Sequence, residues 1–180
     1  MMTGNNTKAS VYADVIFKLA EEKKNEIFYN SSAEHAAIVH QALVKTATEY
    51  MYIFSNSMCT EISNNRDYCD LVRAFLKENK NRQIKIVLTD YSEEFTQKPI
   101  AKLLAEFPLQ VSIKKYPGEV FFKGKPVHFT VTDDRAFRLE TDIDNHMAFG
   151  NFNSPDQAKA MKEVFEKVFQ SKLSSSIGLC

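Results

Sequence analysis

The segment GKPVHFTVTDDRAFRLETD, residues 124–142, has the residue pattern of two strands and a turn. Its first half alternates apolar and polar side chains, which is typical of a β-strand whose two faces differ. Asp133 and Asp134 then form a turn signal, and a second β-rich run follows at hairpin spacing. The stretch therefore predicts two strands joined by a tight turn. One face of the first strand would carry the polar set His128, Thr130 and Thr132.

Upstream of this hairpin, helical and strand-like segments alternate along the chain. Ser31 and Glu34 have capping-box spacing before an alanine-rich helix at about 32–48, and the run YMYIF follows as a strand. A helix at about 66–79 then precedes the apolar strand QIKIVLTD, which completes a β-α-β unit. A short helix in QKPIAKLLAEF and the alternating strand LQVSIKKY continue this order to residue 116.

Downstream of residue 116 the chain changes to short β-rich runs separated by turn residues, which indicates an antiparallel or mixed edge on the sheet. A final helix is predicted at about 154–171. Ser154 is a suitable N-cap, Pro155 suits the first helical position, and apolar residues recur on one face. The elements together predict the α/β class, with a mixed central β-sheet flanked by helices.

We expect one α/β domain with short extensions at both ends. The run ASVYADVIFKLAEEKK predicts an amphipathic helix, so residues 1–30 form an N-terminal helix and lead-in. Residues 31–172 form the domain, and residues 173–180 are expected to be a flexible tail. With 180 residues, of which 44% are hydrophobic, the chain is long enough for one well-packed core.

Composition excludes several classes of protein. Lys and Arg total 23, as do Asp and Glu, so there is no general positive field for nonspecific binding of nucleic acid or anionic membranes. Cys59, Cys69 and Cys180 form no CxxC pair and no metal-ligand spacing, which favours a reducing compartment and a protein without disulfide, metal or cofactor. No apolar run reaches the roughly 18 residues of a membrane span, and the N-terminus lacks the features of a signal peptide. We therefore expect a cytoplasmic protein with no membrane span.

The order of elements resembles that of the phospholipase D-like superfamily over about residues 31–172. In that family a strand with the motif H-x-K-x4-D precedes a turn, a second strand and a final helix. Here VHFTVTDDRAFRLE, followed by SPDQAKAMKEVFEKVF, has the same order. The closing helix matches the family's spacing at Ser154, Pro155, Ala158, Met161 and Phe165. The resemblance implies a phospholipase D-like sandwich.

The resemblance also implies roles for individual residues. In the family the motif histidine is the nucleophile, a second histidine protonates the leaving group, and lysines bind the phosphate oxygens. His128 stands at the histidine position, but Thr130 stands at the lysine position. Asp133 and Asp134 fall one or two residues short of the family's aspartate, and Glu140 occupies the slot of a small polar residue in its G-S-x-N motif. The motif is therefore expected to be degenerate, with a carboxylate at Glu140 that would repel phosphate.

His128 is the candidate catalytic residue, and three interpretations of it stay open: a relic in a small pocket, a working nucleophile, and a structural or surface histidine. His35 and His40 are five residues apart on the predicted helix, and both are expected on its surface. His146 follows a turn and is expected to face solvent or a partner.

Further residues are candidates for binding a ligand. The segment GNFN contributes two asparagines, and two lysines are interleaved with aromatic residues in a pattern that suits a phosphate backbone. A pair of solvated strand ends is the alternative explanation of the lysines. The predicted binding residues are Thr130, Glu140, Asn151, Asn153, Lys123 and Lys125.

Three functions of different classes follow from these observations. The first is a catalytically degenerate phospholipase D-like domain that acts as a binding or assembly module. The resemblance implies a homodimer here, because single-motif members of the superfamily build one site across a two-fold axis. The second is a weak phosphodiesterase or nuclease in which a homodimer brings two copies of His128 together. The third is a protein-docking module without a phosphate ligand. We favour the first, with a phosphate-containing ligand or a protein as partner and nucleic acid left open.

Overall fold

The structure of the protein is a computed structural model that describes residues 6–179, with side chains from residue 9 onward. Residues 1–5 and Cys180 lie outside the described residues, as do the predictions made for them. Within residues 6–179, no helix is both long enough and apolar enough to cross a membrane.

The helices follow the order predicted from the sequence. The α-helices are α1 (Asn6–Glu21), α2 (Ala33–Thr46), α3 (Thr60–Ser63), α4 (Arg66–Glu78), α5 (Pro99–Leu104) and α6 (Pro155–Phe169), and a 3₁₀ helix at Glu93–Gln97 precedes α5. The three long helices predicted within the domain are confirmed as α2, α4 and α6. The N-cap of α2 is Ser32, whose hydroxyl accepts from the His35 N–H at 3.1 Å, so the helix begins one residue later than the capping-box spacing indicated.

The strands are β1 (Ile27–Ser31), β2 (Tyr50–Ser55), β3 (Gln83–Leu88), β4 (Val111–Lys115), β5 (Phe121–Phe122), β6 (Lys125–Pro126), β7 (His128–Thr132), β8 (Ala136–Asp142), β9 (Met147–Asn151) and β10 (Ser175–Ser176). Eight of them form one sheet in the order β1-β9-β8-β7-β2-β3-β4-β10, and β5 and β6 form a separate hairpin. β2, β3 and β4 are parallel, whereas the other neighbours in the large sheet are antiparallel. The predicted α/β class and mixed central sheet are confirmed.

The antiparallel strands β7, β8 and β9 lie between the parallel strands and the edge strand β1. β7 joins the parallel half by antiparallel pairing with β2, and β8 and β9 extend outward from β7. The edge strand is β1, which pairs with β9 from Ile27 opposite Asn151 to Ser31 opposite Met147. The predicted boundary at residue 30 therefore falls inside a strand of the sheet. The lead-in takes this place because it covers backbone groups that β9 would otherwise expose.

The C-terminal residues differ from the flexible tail that we expected. Ser175 and Ser176 form β10, which pairs antiparallel with β4, and the Ile177 N–H donates to the Ile113 carbonyl at 2.9 Å. Ile177 and Leu179 also pack against the hydrophobic core on the α5 side of the sheet. The free side of β4 offers unpaired backbone groups, and pairing with them explains why the chain follows β4 here.

Helices cover both faces of the sheet, and successive strand residues join different cores because side chains alternate between faces. Ile53 packs in the core formed with α2, α4 and α5, whereas the next residue, Phe54, packs in the core formed with α6. Phe129 in β7 also lies on the α6 side. Its neighbours His128 and Thr130 therefore lie on the other face, which α2 covers.

Asp133 connects the β7–β8 turn with the start of β2 through hydrogen bonds. Its carboxylate accepts hydrogen bonds from the backbone N–H groups of Thr48 at 2.7 Å, Glu49 at 2.9 Å and Tyr50 at 3.1 Å. Asp133 and Asp134 both adopt the left-handed backbone conformation that tight turns use, with φ of 57° and 48°. Asp133, which we expected close to the motif aspartate, is thus bonded to backbone groups. It follows the end of β7 that is far from His128.

Gly150 in β9 is packed so closely that a larger residue would not fit. A Cβ atom here would overlap the Phe137 carbonyl oxygen and the Phe28 ring, and the carbonyl cannot rotate away. We expect Gly150→Ala to lower the free energy of unfolding by about 2–3 kcal/mol in urea denaturation. Gly118→Ala is the control, because its Cβ would meet the tip of the Tyr116 ring, which is able to swing aside. Equal losses in the two variants would contradict this explanation.

Candidate functional site

A cavity of about 190 Å³ opens at the carboxyl end of β2, on the α2 side of the sheet. It is smaller than the roughly 300–1,000 Å³ pockets that hold drug-sized ligands, so it suits one small chemical group. Its walls come from α2, the loop after β2, the β7–β8 hairpin and the turn between β8 and β9. The charged and imidazole side chains that line it are His40, His128, Arg138, Glu140, Asp144 and His146.

The register of the β7–β8 hairpin brings the central residues of this cavity together. His128 lies opposite Glu140, and Thr130 lies opposite Arg138. All four are buried, with exposed fractions between 2% and 8%. Directly opposite residues on one face of an antiparallel pair are close neighbours, so the hairpin by itself builds a compact polar cluster.

His128 is held by a carboxylate on the neighbouring strand. Its Nδ1 lies 3.1 Å from Oε2 of Glu140. Since an ionised carboxylate only accepts hydrogen bonds, Nδ1 carries the proton in this contact and donates it to Glu140. The other ring nitrogen, Nε2, is left for a ligand in the cavity: it accepts a hydrogen bond in the neutral ring and donates one to an oxyanion when the ring is an imidazolium.

The surroundings of Glu140 favour the ionised form of its carboxyl. Burial raises the pKa of its carboxyl, but the hydrogen bond from His128 and the positive charge of Arg138 outweigh burial and lower that pKa to about 2. Arg138 donates from Nη2 to Oε1 of Glu140 at 2.9 Å. The carboxylate that we expected to repel phosphate is thus offset by a cation on the same strand.

Arg138 supplies a positive charge that the sequence analysis did not find. Its guanidinium is 3% exposed and lines the cavity directly across from Thr130, which we expected at the lysine position of the motif. Its Nε donates to Oδ1 of Asn30 at 3.0 Å. A two-residue turn at Asp133–Asp134 would have paired Thr130 with Phe137; the loop contains three residues, because Thr132 pairs with Ala136, and this register places Arg138 opposite Thr130.

Asn30 connects Arg138 with the turn between β8 and β9. While its Oδ1 accepts from Arg138, its Nδ2 donates to the backbone carbonyl of His146 at 2.6 Å. His146 Nδ1 lies 3.5 Å from Oε1 of Glu140, so this side chain lines the cavity instead of facing away from it. The hydrogen bond from Asn30 therefore holds the turn over the cavity.

His40 enters the cavity wall from α2, although we expected it on the helix surface. It is 5% exposed, whereas His35 stacks on Tyr12 at a ring distance of 3.9 Å. The five-residue separation places the two rings on different sides of the helix, and the side that carries His40 faces the sheet. Burial, together with the charge of Arg138 and opposed by that of Glu140, lowers the pKa of His40 to about 3.

The structure brings three of the predicted site residues together, namely His128, Thr130 and Glu140. Asn151 and Asn153 lie towards the opposite end of β9, where Asn151 bonds to Asn25 at 2.8 Å and to the Asn153 N–H at 2.7 Å. β9 runs antiparallel to β8, so its carboxyl end pairs with Phe137 near the start of β8. Asn151 and Asn153 are therefore distant from the cavity.

Lys123 and Lys125 also lie away from the cavity. Both are exposed on the β5–β6 hairpin, which is separate from the large sheet. Of the described side chains, no three His, Cys, Asp or Glu residues come together in an arrangement that could hold a metal ion. Cys59 and Cys69 are free thiols, and burial raises the pKa of each.

Three solved structures share this fold at low sequence identity. Nuc of Salmonella typhimurium, a phospholipase D family member, matches with a TM-score of 0.58 and 11% identity over 84% of this chain and 97% of its own. The archaeal chromatin protein TrmBL2 matches with a TM-score of 0.60 and 12% identity over 96% of this chain and 63% of its own. Phosphatidylserine synthase of Haemophilus influenzae Rd KW20 matches with a TM-score of 0.51 and 13% identity over 85% of this chain and 39% of its own. These likenesses confirm the phospholipase D-like fold.

A family model matches most of the chain. No curated protein is significantly similar to it in sequence. The model that matches describes a domain of unknown function, DUF7931, and covers residues 32–176, from the N-cap of α2 to the end of β10. That span contains the whole β7–β8 hairpin and the final helix. The chain therefore belongs to the DUF7931 family and has the fold of the phospholipase D superfamily.

Proposed function

We propose that the protein is a binding module whose cavity takes one compact oxyanion of the phosphate type, without efficient turnover of phosphodiesters. The observation that carries this proposal is the buried guanidinium of Arg138 directly opposite Thr130 and beside the His128 ring. A guanidinium binds phosphate through several parallel hydrogen bonds. A phosphate-containing ligand, which the sequence analysis predicted, would thus contact a positively charged side chain of β8.

The same cluster lacks the charge that phosphoryl transfer requires. Thr130 offers a hydroxyl and no charge, and the charge of Arg138 is shared with Glu140 at 2.9 Å. Stabilising the transition state depends on preorganised positive groups around the phosphate, and loss of one such contact costs about 3–4 kcal/mol. We therefore propose that the motif is degenerate and that His128 binds the ligand.

Binding without catalysis is compatible with the shared fold. The similar structures include an archaeal chromatin protein that binds DNA, as well as a phospholipase D family member and a phosphatidylserine synthase. Proteins with this fold therefore include binding proteins and enzymes, and only the residues of the site distinguish the two roles. For this chain we propose binding, and nucleic acid ends are one source of the phosphate group.

We expect the purified protein to show no turnover of phosphodiesters above background. The substrates are single- and double-stranded DNA, RNA, bis-p-nitrophenyl phosphate and phosphatidylcholine, each with and without EDTA. His128→Ala removes the ring that faces the cavity, and His35→Ala is the matched control, since His35 lies outside it.

This assay, combined with a binding measurement on the same protein and phosphate compounds, separates the proposal from its alternatives. Turnover that disappears in His128→Ala but survives in His35→Ala would replace the binding module by the weak phosphodiesterase, with two copies of His128 in a homodimer. Absence of turnover together with absence of binding to any phosphate compound would favour the protein-docking module. Binding of phosphate without turnover is the result that we expect.

A further inference from the structure

Glu140 is shared by two imidazole rings of the same chain. His128 approaches its Oε2 with Nδ1 at 3.1 Å, and His146 approaches its Oε1 with Nδ1 at 3.5 Å. Both rings line the cavity, and each presents Nδ1 to the carboxylate. Each ring therefore has Nε2 on the side turned away from Glu140, where a ligand in the cavity could be met by both.

The turn that carries His146 is firmly built. Asp142 accepts from the Asn145 backbone N–H at 3.2 Å and from the Asn145 side chain at 2.9 Å. On the other side, Asn30 donates to the His146 carbonyl at 2.6 Å. These hydrogen bonds fix the backbone that carries the His146 ring.

His146 occupies an unfavourable backbone conformation. Its φ is 52°, in the left-handed region that glycine adopts without steric cost and that other residues adopt at a cost. A glycine would thus suit this position better if only the turn mattered. Residues held in such conformations are concentrated at ligand sites, where the side chain has a use.

We infer that His146 is the second imidazole of the site, and that a terminal phosphate group binds between His128 and His146 of one chain, next to Arg138. This inference rests on the proposed function and deepens it. It differs from a composite site made of two copies of His128, because every contributing side chain belongs to the same cavity. The site is then complete in a single chain, whatever its oligomeric state.

The cavity favours a terminal group over a long ligand. Its volume of about 190 Å³ is less than a drug-sized molecule needs, so only a compact group would be enclosed. Two imidazolium rings, each donating from Nε2, and one guanidinium would then surround the oxyanion, and charge-assisted hydrogen bonds of this kind are the strong ones. Free phosphate, a phosphorylated nucleic acid end and a phosphorylated glycerol share this chemistry.

The test is an NMR titration of the purified chain with inorganic phosphate at about pH 6, within the range in which imidazoles titrate. Histidine side-chain spectra report each ring separately. We expect the signals of His128 and His146 to move together with one saturating curve, while those of His35 stay unchanged.

Two substitutions separate a binding role of His146 from a structural one. His146→Gly relieves the left-handed backbone, and His146→Asn keeps a residue that tolerates it. We expect both to weaken phosphate binding about tenfold or more, the effect of losing a charge-assisted hydrogen bond. The midpoint of thermal unfolding should stay equal in His146→Asn and stay equal or rise in His146→Gly. His35→Gln is the control with unchanged affinity.

Different failures have different meanings. If phosphate moves the His128 signals but binds the His146 variants as tightly as the wild type, the inference is wrong and the proposed function stands. If phosphate moves neither ring and no variant changes affinity, both fail. Glycerol 3-phosphate and a dinucleotide with and without a 5′-phosphate form the remaining arms. Tighter binding that depends on the 5′-phosphate identifies nucleic acid ends as the source, and tighter binding of glycerol 3-phosphate identifies a lipid headgroup.

Discussion

Replacing Asp133 by alanine is expected to lower the free energy of unfolding by about 3–4 kcal/mol. The carboxylate accepts from three consecutive backbone N–H groups at the start of β2, and its removal leaves these donors without their partner. The substitution also places alanine in a left-handed conformation, at φ of 57°. Urea denaturation of the variant and the wild type under the same conditions measures the difference.

Asp134→Ala is the matched control for this experiment. It changes the neighbouring residue of the same turn, which is also left-handed. Its carboxylate accepts from the Tyr50 hydroxyl at 2.6 Å and from Lys162 at 2.9 Å, and it accepts no backbone N–H of β2. We expect a loss of about 1 kcal/mol here. A loss below about 0.5 kcal/mol in Asp133→Ala would contradict the structural role and reopen a functional one.

His40 is expected to make the protein sensitive to acid. Burial, reinforced by Arg138 and opposed by Glu140, lowers the pKa of His40 from 6.5 to about 3. The folded protein keeps the ring neutral, whereas the unfolded chain takes up a proton below about pH 6.5. The stability contributed by the neutral ring is therefore complete above that pH and is lost as the pH falls towards 3, on the order of 4 kcal/mol in all.

His40→Leu should remove this part of the acid sensitivity. Among the described residues the His40 Nδ1 has no hydrogen-bond partner, so we expect the variant to be within about 1 kcal/mol of the wild type at neutral pH. The measurement is urea denaturation at a series of pH values, with His35→Leu as the control. The pKa of Glu140 is about 2, against an ordinary value of 4.5. Folding stability is therefore lost a second time as the pH falls from 4.5 to 2, and both variants keep this loss. Parallel losses in the wild type and His40→Leu above about pH 4.5 would show that His40 is not responsible.

The hairpin and the final helix were predictable because local patterns decide both. Alternation in β7 and the two aspartates at its end indicate strand, turn and strand, and Pro155 with its periodic apolar residues indicates α6. The places of β1 and β10 were not predictable, since both depend on free sheet edges that exist only after the fold has formed. Strand pairing between distant segments leaves little trace in a single sequence.

The candidate site was predicted in part for the same reason. His128, Thr130 and Glu140 follow from the hairpin and from the family's motif. Arg138 was missed because the two aspartates indicate a two-residue turn, whereas the loop contains three residues, and this shift of one residue brings Arg138 opposite Thr130. Asn30 and His40 come from β1 and α2, and their arrival at the cavity depends on tertiary packing that no local pattern contains.

Binding of a phosphate-type oxyanion in the cavity can be observed in a crystal structure of the protein with tungstate. Tungstate has the shape of phosphate and scatters X-rays strongly enough to be located without ambiguity. We expect one tungsten position inside the cavity, with its oxygens within hydrogen-bond distance of His128, His146 and Arg138. An empty cavity, with tungstate bound only at exposed lysines such as Lys123 and Lys125, would contradict the proposed binding.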